Sequence, residues 1–547
     1  MRVKTVEADV LCVGGGIAGL MAAIRASELG AKVVVADKAN TLHSGNGGGG
    51  NDHFMCYAPE IHGPDIKPII EAIQQSLTGG MRHSDYLHTW LEKSFEIVKL
   101  WDSWGIPMKY EGKYEFAGHA LPGRPFLFLH YNGRNQKTVL TNEALKRGAQ
   151  IVNRVMIFDL LREDGVIGAI GVDTREDIIV EFHAKSVILT TGSCVRLYPS
   201  PNPGWMFNIA FSPSVTGDGR AMAYRAGAEL ANMEIAMQWA GPKYFARCGK
   251  ATWVGVLRDP QDNPIGPFVS KPDRKYGDVA SDIYTKVFKD YSKSGKGPVY
   301  MDCRGISDED YEYMLHFFRH EGLSSVIKHF EDEGIDLRKN PVEFSTYEMR
   351  TKGGIYHDVK GESSIKGLYV AGDEGFSGGG ISNAATYGWI AGEHAADHAK
   401  KTGPAVMESS KAKIEEKKNL INQIRSRENG AEWKEVNVAL QQIMHDYAGS
   451  IRSATLLEAG LNHLRRLKEK TYATMMAKNQ HELMRCLEVL DLIDVGEVIL
   501  ITANERKETR GLHVRADYSY TNPLMGKFLT IKKENGTALT KWREVNH

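Results

Sequence analysis

Residues Ala8 to Val13 form an apolar run interrupted only by Asp9, the pattern of a strand buried on both faces of a parallel sheet. Leu20, Ala23, Ile24 and Leu29 then recur at helical spacing, and Gly30 ends that stripe. A second apolar run, "VVVAD", closes on Asp37. Strand, helix and strand in immediate succession predict the opening of a doubly wound α/β domain. Beyond "KKTGPAV" the pattern changes to charged helix, with Trp433, Val436, Leu440, Ile443 and Met444, and then Leu457, Leu461 and Leu464, at helical spacing. Both stripes are expected to be the core of a helical bundle rather than a cofactor pocket.

Between the first strand and helix stand Gly14, Gly16 and Gly19 in G-x-G-x-x-G spacing. The first allows a tight turn, the second lets backbone approach a pyrophosphate, and the third lets the helix pack on the strand. Asp37 ends the second strand in position for a ribose hydroxyl. A glycine run follows in "HSGNGGGGNDHF", His43 to Phe54. Such a run is either a flexible linker or backbone that must approach a ligand where no Cβ fits. The fingerprint just before it favours the ligand and indicates a dinucleotide without saying which.

The chain has 547 residues, a length that suggests two to four domains, and its 68 basic residues equal its 68 acidic ones. That balance leaves no bulk charge for nucleic acid or an anionic membrane, so any basic site must be local. No segment reads as a membrane span, and the N-terminus lacks the layout of a secretory signal, so a cytoplasmic location is expected. Six cysteines (Cys12, Cys56, Cys194, Cys248, Cys303 and Cys486) stand apart with no C-x-x-C pair. Neither an iron–sulfur cluster nor a zinc site is expected within this chain, and no metal ligands are assigned.

"VGGGIAGLMAAIRASELGAKVVVADK" followed by "HSGNGGGG" resembles the FAD domain of the fumarate reductase, succinate dehydrogenase and adenylylsulfate reductase flavoprotein superfamily. Further matches follow in order: "AKSVILTTGS", "VTGDGRAMAYRAGAEL", "GPVYMDCRGI", "IKGLYVAGDEGFSGGGISNAATYGWIAGEHAA" and "RKETRGLHVRADYSYTNP". The resemblance implies an α/β fold: a Rossmann-type FAD-binding domain over 1–240 and 341–403, an inserted α+β capping domain over 241–340, and a C-terminal helical domain and tail over 404–547. It implies FAD contacts from Gly14, Gly16, Ala18, Gly19, Asp37 and Lys38, and from Ser44, Gly45, Gly49, Gly50 and Asn51 in the glycine loop. Gly192, Asp218, Asp373, Gly380 and Ile381 complete that set.

The departures from the superfamily are equally informative. In succinate dehydrogenases a histidine of R-S-H-T bonds covalently to FAD; here Gly45 takes its place, so FAD is expected to be non-covalent. A covalent link would need His43 or His53 in a shifted register. The proton-donating arginine of D-V-V-x-R is replaced by Asp282, the histidine of H-x-T-M-G-G by Met349, and the G-x-N-R clamp by "GDEGFSGGGIS". These losses argue against a fumarate reductase. "HYNGRNQKTVLTNEALKRG" and the short glycine–serine loop lean toward the adenylylsulfate reductase alpha subunit, although Tyr244, with Arg247 nearby, stands where a sulfate-binding arginine is expected.

The expected activity is therefore that of an FAD-dependent oxidoreductase passing electrons between a small anionic substrate, with sulfur oxyanions in view, and a ferredoxin-like iron–sulfur subunit. Assembly as a homo- or hetero-oligomer is open. Asn51, His53, Glu348 and Arg350 are the catalytic candidates, with Asp52 beside them; Glu348 and Arg350 would equally suit an ion pair with each other. Lys243, Arg247, Lys250 and Arg258 would either ring an anion or form a solvated face. A dehydrogenase or oxidase with a carbon substrate, and a scaffold subunit with a decayed site, are the alternatives.

Overall fold

The computed structural model describes all residues except 75–81, 119–124, 201–205, 208, 210, 239, 244–253, 266–269, 277–290, 292–293, 322, 347–348, 377, 404–409 and 547. Strand β1 (Arg2–Val13) lies at the centre of a seven-stranded sheet, flanked in parallel by β2 (Val33–Asp37) and by the long strand Ile178–Leu189. The apolar run of β1 is buried, as its lack of alternation predicts. The strand Ile178–Leu189 pairs differently along its length. Its first half accepts the antiparallel strand Val166–Asp173, and its second half accepts the parallel strand Leu368–Val370.

Helix α1 (Ile17–Glu28) packs against the returning helix Gly380–Lys401. The contact is close because a Cβ at Gly388 or Gly392 would overlap the carbonyl oxygens of Ala18 and Ala22. Small residues thus bring the N-termini of two helices, one from each end of a long chain segment, to the same edge of the sheet.

A separate antiparallel sheet is built from Ala240–Pro242, Val342–Thr346, Val299–Asp302 and Val256–Arg258. The helices Asp308–His320 and Ser324–Asp332 join its own apolar core, which includes Met314, Phe317 and Phe344. The Ser307 hydroxyl caps the first of these helices, and Asp308, Glu309 and Asp310 complement its positive end.

The C-terminal part is a bundle of Lys411–Ser426, Trp433–Ala448, Ala454–Thr474 and Gln480–Glu505. Trp433, Val436, Leu440, Met444, Leu457 and Leu464 are buried in its core, while Ile443 and Leu461 pack on it half-buried. Truncating Leu457 or Leu464 to alanine should cost about 2–5 kcal/mol. A terminal hairpin, Phe528–Glu534 with Thr537–Arg543, returns to pair with Leu230–Ala231, and Arg543 grips Glu229 through two hydrogen bonds of 2.8 and 2.7 Å. The "RKETRGLHVRADYSYTNP" stretch is a buried polar brace: Arg506 binds Glu234 at 2.6 Å and Glu508 at 2.9 Å, and Arg452 binds His513 at 3.0 Å. Cys12, Cys56, Cys194, Cys303 and Cys486 are buried free thiols. Among the described residues no helix is long and apolar enough to cross a membrane.

Candidate cofactor and substrate cavity

The turn after β1 is held by its neighbours on all sides. The Gly15 N–H donates to Asp37 Oδ2 at 2.7 Å, and the same carboxylate accepts from the Ala39 N–H at 2.7 Å and the Ser44 hydroxyl at 2.9 Å. Gly19 lies behind the turn, where any Cβ would overlap the Gly14 carbonyl oxygen, so this glycine serves helix–strand packing. Gly14 has a φ of +98°, which only glycine adopts without strain. Lys137 donates to the Gly15 carbonyl, and burial pushes its amine down to about 8.

This turn opens into a cavity of about 980 Å³. Gly14, Gly16 and Ala18 line it from the turn, and Asp37 and Lys38 from the end of β2. Ser44, Gly45, Gly49, Gly50 and Asn51 line it from the glycine run, and Gly192, Asp218, Asp373, Gly380 and Ile381 from the later segments. Only Gly19, of the expected cofactor positions, is absent from the wall. The volume lies at the upper end of ligand pockets, as an extended dinucleotide needs. The fit to FAD is also one of shape: nothing lies within 4 Å of where a Cβ would stand on Gly49 or Gly380, so bare backbone faces the space. Two helix N-termini, at Ile17 and Gly380, border it, and the Gly380 N–H donates to Asp373 Oδ1 at 3.3 Å.

One wall is electrostatically closed. Lys38 Nζ donates to Thr216 Oγ1 at 3.0 Å, Asp218 Oδ2 at 2.7 Å and Glu488 Oε1 at 2.9 Å. Glu488, from the bundle helix Gln480–Glu505, also binds Arg196 at 2.7 Å and Arg485 at 2.8 Å. Against the opposing effect of burial, the neighbouring Lys38, Arg196 and Arg485 charges hold its carboxyl low.

Another wall carries cations. Lys352 Nζ and Arg82 Nη2 both donate to the Gly378 carbonyl, at 2.6 and 3.4 Å. Arg350 stacks 3.8 Å from the centre of the Phe211 ring and reaches Ser193 Oγ at 3.4 Å. Burial, then the charges of Arg82, Arg350 and Arg220, push the Lys352 amine down to about 7, with Asp373 the opposing acid. Arg82, Arg350 and Lys352 all line the cavity.

His53 enters from the short strand His53–Met55, where it pairs with His130. Its Nδ1 lies 2.5 Å from Asp52 Oδ1 and 3.5 Å from Glu321 Oε1. Asn51 donates through its amide to the His53 carbonyl. Burial would raise the Asp52 carboxyl, but His53, His130 and a hydrogen bond with Glu321 together hold it well below the usual range. Asp52, His53 and Glu321 bring ligand-type atoms within 4.8 Å of one another. The 2.5 Å contact is a hydrogen-bond separation, since two donors on one tetrahedral zinc ion stand roughly 3.3 Å apart. The trio is therefore a carboxylate–imidazole–carboxylate array.

Glu348, Tyr244, Arg247, Lys250 and Asp282 lie outside the described residues. Lys243 and Arg258 do not line the cavity. Lys243 binds Glu343 at 2.5 Å and Arg258 binds Asp302 at 2.8 Å, both within the antiparallel sheet. Sequence reasoning missed Arg82, Lys352, Phe211 and Glu321. Lys352 alone had a signal, two residues beyond Arg350 in "MRTKGGI"; the others are brought in by chain segments with no local pattern.

Residues 9–385 match the family described as the FAD binding domain, and residues 437–546 match that of the fumarate reductase flavoprotein C-terminus. One fumarate reductase (CoM/CoB) subunit of Methanothermobacter marburgensis is 25% identical over 566 residues, covering 98% of both chains. The fumarate reductase flavoprotein subunit of Escherichia coli is 24% identical, covering 99% of this chain and 94% of its own. Among solved structures, adenylylsulfate reductase of Archaeoglobus fulgidus superposes with a TM-score of 0.84 at 21% identity, covering 100% of this chain and 97% of that one. Quinol fumarate reductase of E. coli gives 0.82 at 20% identity with the same coverage. These likenesses establish the fold, and the two solved activities differ.

Proposed function

The chain belongs to the FAD-binding flavoprotein family of the fumarate reductases and adenylylsulfate reductases, and from that premise we propose that it reduces or oxidises a small anion held against Arg82, Arg350 and Lys352. It is an FAD-dependent oxidoreductase. The carrying observation is the cationic wall: three basic side chains around the Gly378 carbonyl and the Phe211 ring, facing a wall whose charges are paired.

In this reading Gly14, Gly16 and the N-terminus of α1 take the pyrophosphate, Asp37 and the Lys38–Asp218 pair border the adenosine ribose, and Asp373, Gly380 and Ile381 face the ring system. FAD supplies two-electron chemistry when bound. Arg350, kept rigid by stacking on Phe211, orients the anion, and Lys352 neutralises its charge. Asp52 fixes His53 through Nδ1, which leaves Nε2 to exchange a proton with the substrate. Asn51 holds the His53 backbone in register. Segment 241–340 acts as the cap over an FAD lobe of 1–240 and 341–403, with 404–547 bracing it. Electrons pass to or from a separate ferredoxin-like subunit, a reading supported by the absence of any paired-cysteine motif.

A second reading, fumarate itself as substrate, draws on the names of the sequence relatives. Against it stand Asp282 and the arginine-free "GDEGFSGGGIS". The test mixes anaerobically reduced holoprotein with adenylylsulfate or fumarate, and oxidised holoprotein with sulfite plus AMP, and follows flavin absorbance. Reoxidation by adenylylsulfate, weakened in Arg350→Met, supports the first reading, and reoxidation by fumarate alone supports the second. No response to any anion, with Arg350→Met and Lys352→Met behaving as wild type, would sink the anion site. Acid precipitation that releases all flavin into the supernatant would establish non-covalent binding.

A further inference from the structure

Helix Gln136–Lys146 sends its first two side chains to the two glycine segments of the cavity wall. Gln136 Nε2 donates to the Gly47 carbonyl at 2.9 Å, and its Oε1 accepts from the Tyr131 hydroxyl at 2.6 Å. Lys137 Nζ donates to the Gly15 carbonyl, in the turn after β1. Both side chains are buried, Lys137 with only 2% of its surface exposed.

The groups of that turn are taken peptide by peptide. In the Gly14–Gly15 unit the carbonyl accepts from Thr190 Oγ1 at 2.7 Å, and the N–H donates to Asp37 Oδ2 at 2.7 Å. In the Gly15–Gly16 unit the carbonyl accepts from Lys137 and, at 3.4 Å, from the Ser44 hydroxyl, while the Gly16 N–H has no acceptor among the described residues. The C=O and N–H of a trans peptide point in opposite directions. With a cation on the Gly15 carbonyl, the Gly16 N–H points away from Lys137, on a residue that lines the cavity.

Lys137 also lacks an acid of its own. Among the described residues the carboxylate that acts on it is Asp37, already engaged by the Gly15 and Ala39 N–H groups and the Ser44 hydroxyl. Glu143 and Arg147, further along the same helix, pair with each other, and Arg147 also pairs with Glu28 of α1. Burial pushes the Lys137 amine down to about 8 against the pull of Asp37. A buried ammonium in this setting gains from an anion placed one peptide away.

We propose that Lys137 is a positioning residue for the cofactor: it holds the Gly15–Gly16 peptide so that the Gly16 N–H meets the FAD pyrophosphate, and its ammonium balances the phosphate charge through that peptide. Because the phosphates favour the charged amine, loading FAD draws a proton from solvent onto Lys137 Nζ. The fingerprint turn is thereby completed by a side chain 122 residues beyond Gly15. The inference rests on the reading that places the pyrophosphate at Gly16 and the start of α1.

The test uses the full-length holoprotein and needs no turnover. FAD release on dilution is followed at pH 7 by the fluorescence of freed flavin, and rebinding is followed at pH 8 in weak buffer with a pH indicator. Lys137→Met should release FAD about 10–100-fold faster, while its FAD-free form melts no lower than wild type, because a neutral side chain relieves a buried charge. Wild type should take up about half a proton more per FAD than Lys137→Met at pH 8. Gly16→Ala tests the placement separately: the backbone there is extended (φ −67°, ψ −172°), and within the protein its Cβ would meet only the Thr190 carbonyl oxygen, at 3.9 Å. Unchanged release from Gly16→Ala overturns the pyrophosphate placement and the inference with it. Faster release from Gly16→Ala, beside wild-type release and proton uptake in Lys137→Met, keeps the placement and overturns the role of Lys137. Faster release from Lys137→Met with a lowered melting temperature and unchanged proton uptake marks a purely structural residue and overturns it too. Should Lys137→Met not fold, Lys137→Arg decides: FAD retained without the extra uptake supports the proposal, and loss of FAD or uptake equal to wild type overturns it.

Discussion

The two walls of the cavity treat charge in opposite ways. At Lys38 every ionised group meets its complement: three acceptors surround the ammonium, and Glu488 is shared among Lys38, Arg196 and Arg485. At Lys352 the ammonium has a carbonyl for a partner, and two arginines crowd the same wall. A closed network fixes geometry and binds bundle to FAD lobe, whereas a wall rich in basic side chains suits the anion proposed for it. The difference teaches where structure ends and chemistry begins within one pocket.

Substitutions should break the two walls differently. The largest effect is expected behind both, at Gly19→Ala, whose Cβ would meet backbone at Gly14; flavin content of the purified protein should fall to near zero. Next comes Lys38→Met, which strands Asp218 and Glu488 in a buried setting and should cost about 3–5 kcal/mol in denaturant unfolding. An unchanged unfolding midpoint would mean that the closed wall is not structural. Lys352→Met should leave stability intact or improved, yet reduce kcat/KM for the anionic substrate roughly 30–100-fold.

The smallest effect separates the walls by pH. Because the Lys352 amine is pushed down to about 7, its ammonium is present below that pH and is lost as pH rises through it. Anion affinity in wild type should therefore fall above pH 7. The ligand-free protein should gain stability over the same rise, since above that pH the unfolded chain binds the extra proton. Lys352→Met should flatten both curves, which calorimetric titration and thermal melts at several pH values would show. Parallel slopes in wild type and variant would assign the dependence to another group.

Much of this architecture is legible in residue order. The apolar run of Ala8 to Val13, the G-x-G-x-x-G turn and the stripe from Trp433 to Met444 each encode an element whose period the neighbouring residues carry themselves. His53 and Arg350 could be singled out because they sit inside recognisable motifs. Glu321 and Arg82 could not: each reaches the cavity from a helix end or a connecting segment, and their neighbours in sequence carry no signal of a site. The ion pairs of Lys243 and Arg258 were hidden for a related reason, since residue type alone does not show whether a partner such as Glu343 or Asp302 lies across the sheet.

By itself the sequence determined the periodicities, the glycine spacing and the balance of charge, because these are local and need only nearest neighbours to be read. Only the tertiary structure decided which charges are neutralised. A lysine is a brace or a binding group according to what the fold brings within about 4 Å of it. Lys38 and Lys352 look alike as residues, and they part company because Glu488 arrives from the far end of the chain at one of them, while Arg82 arrives at the other.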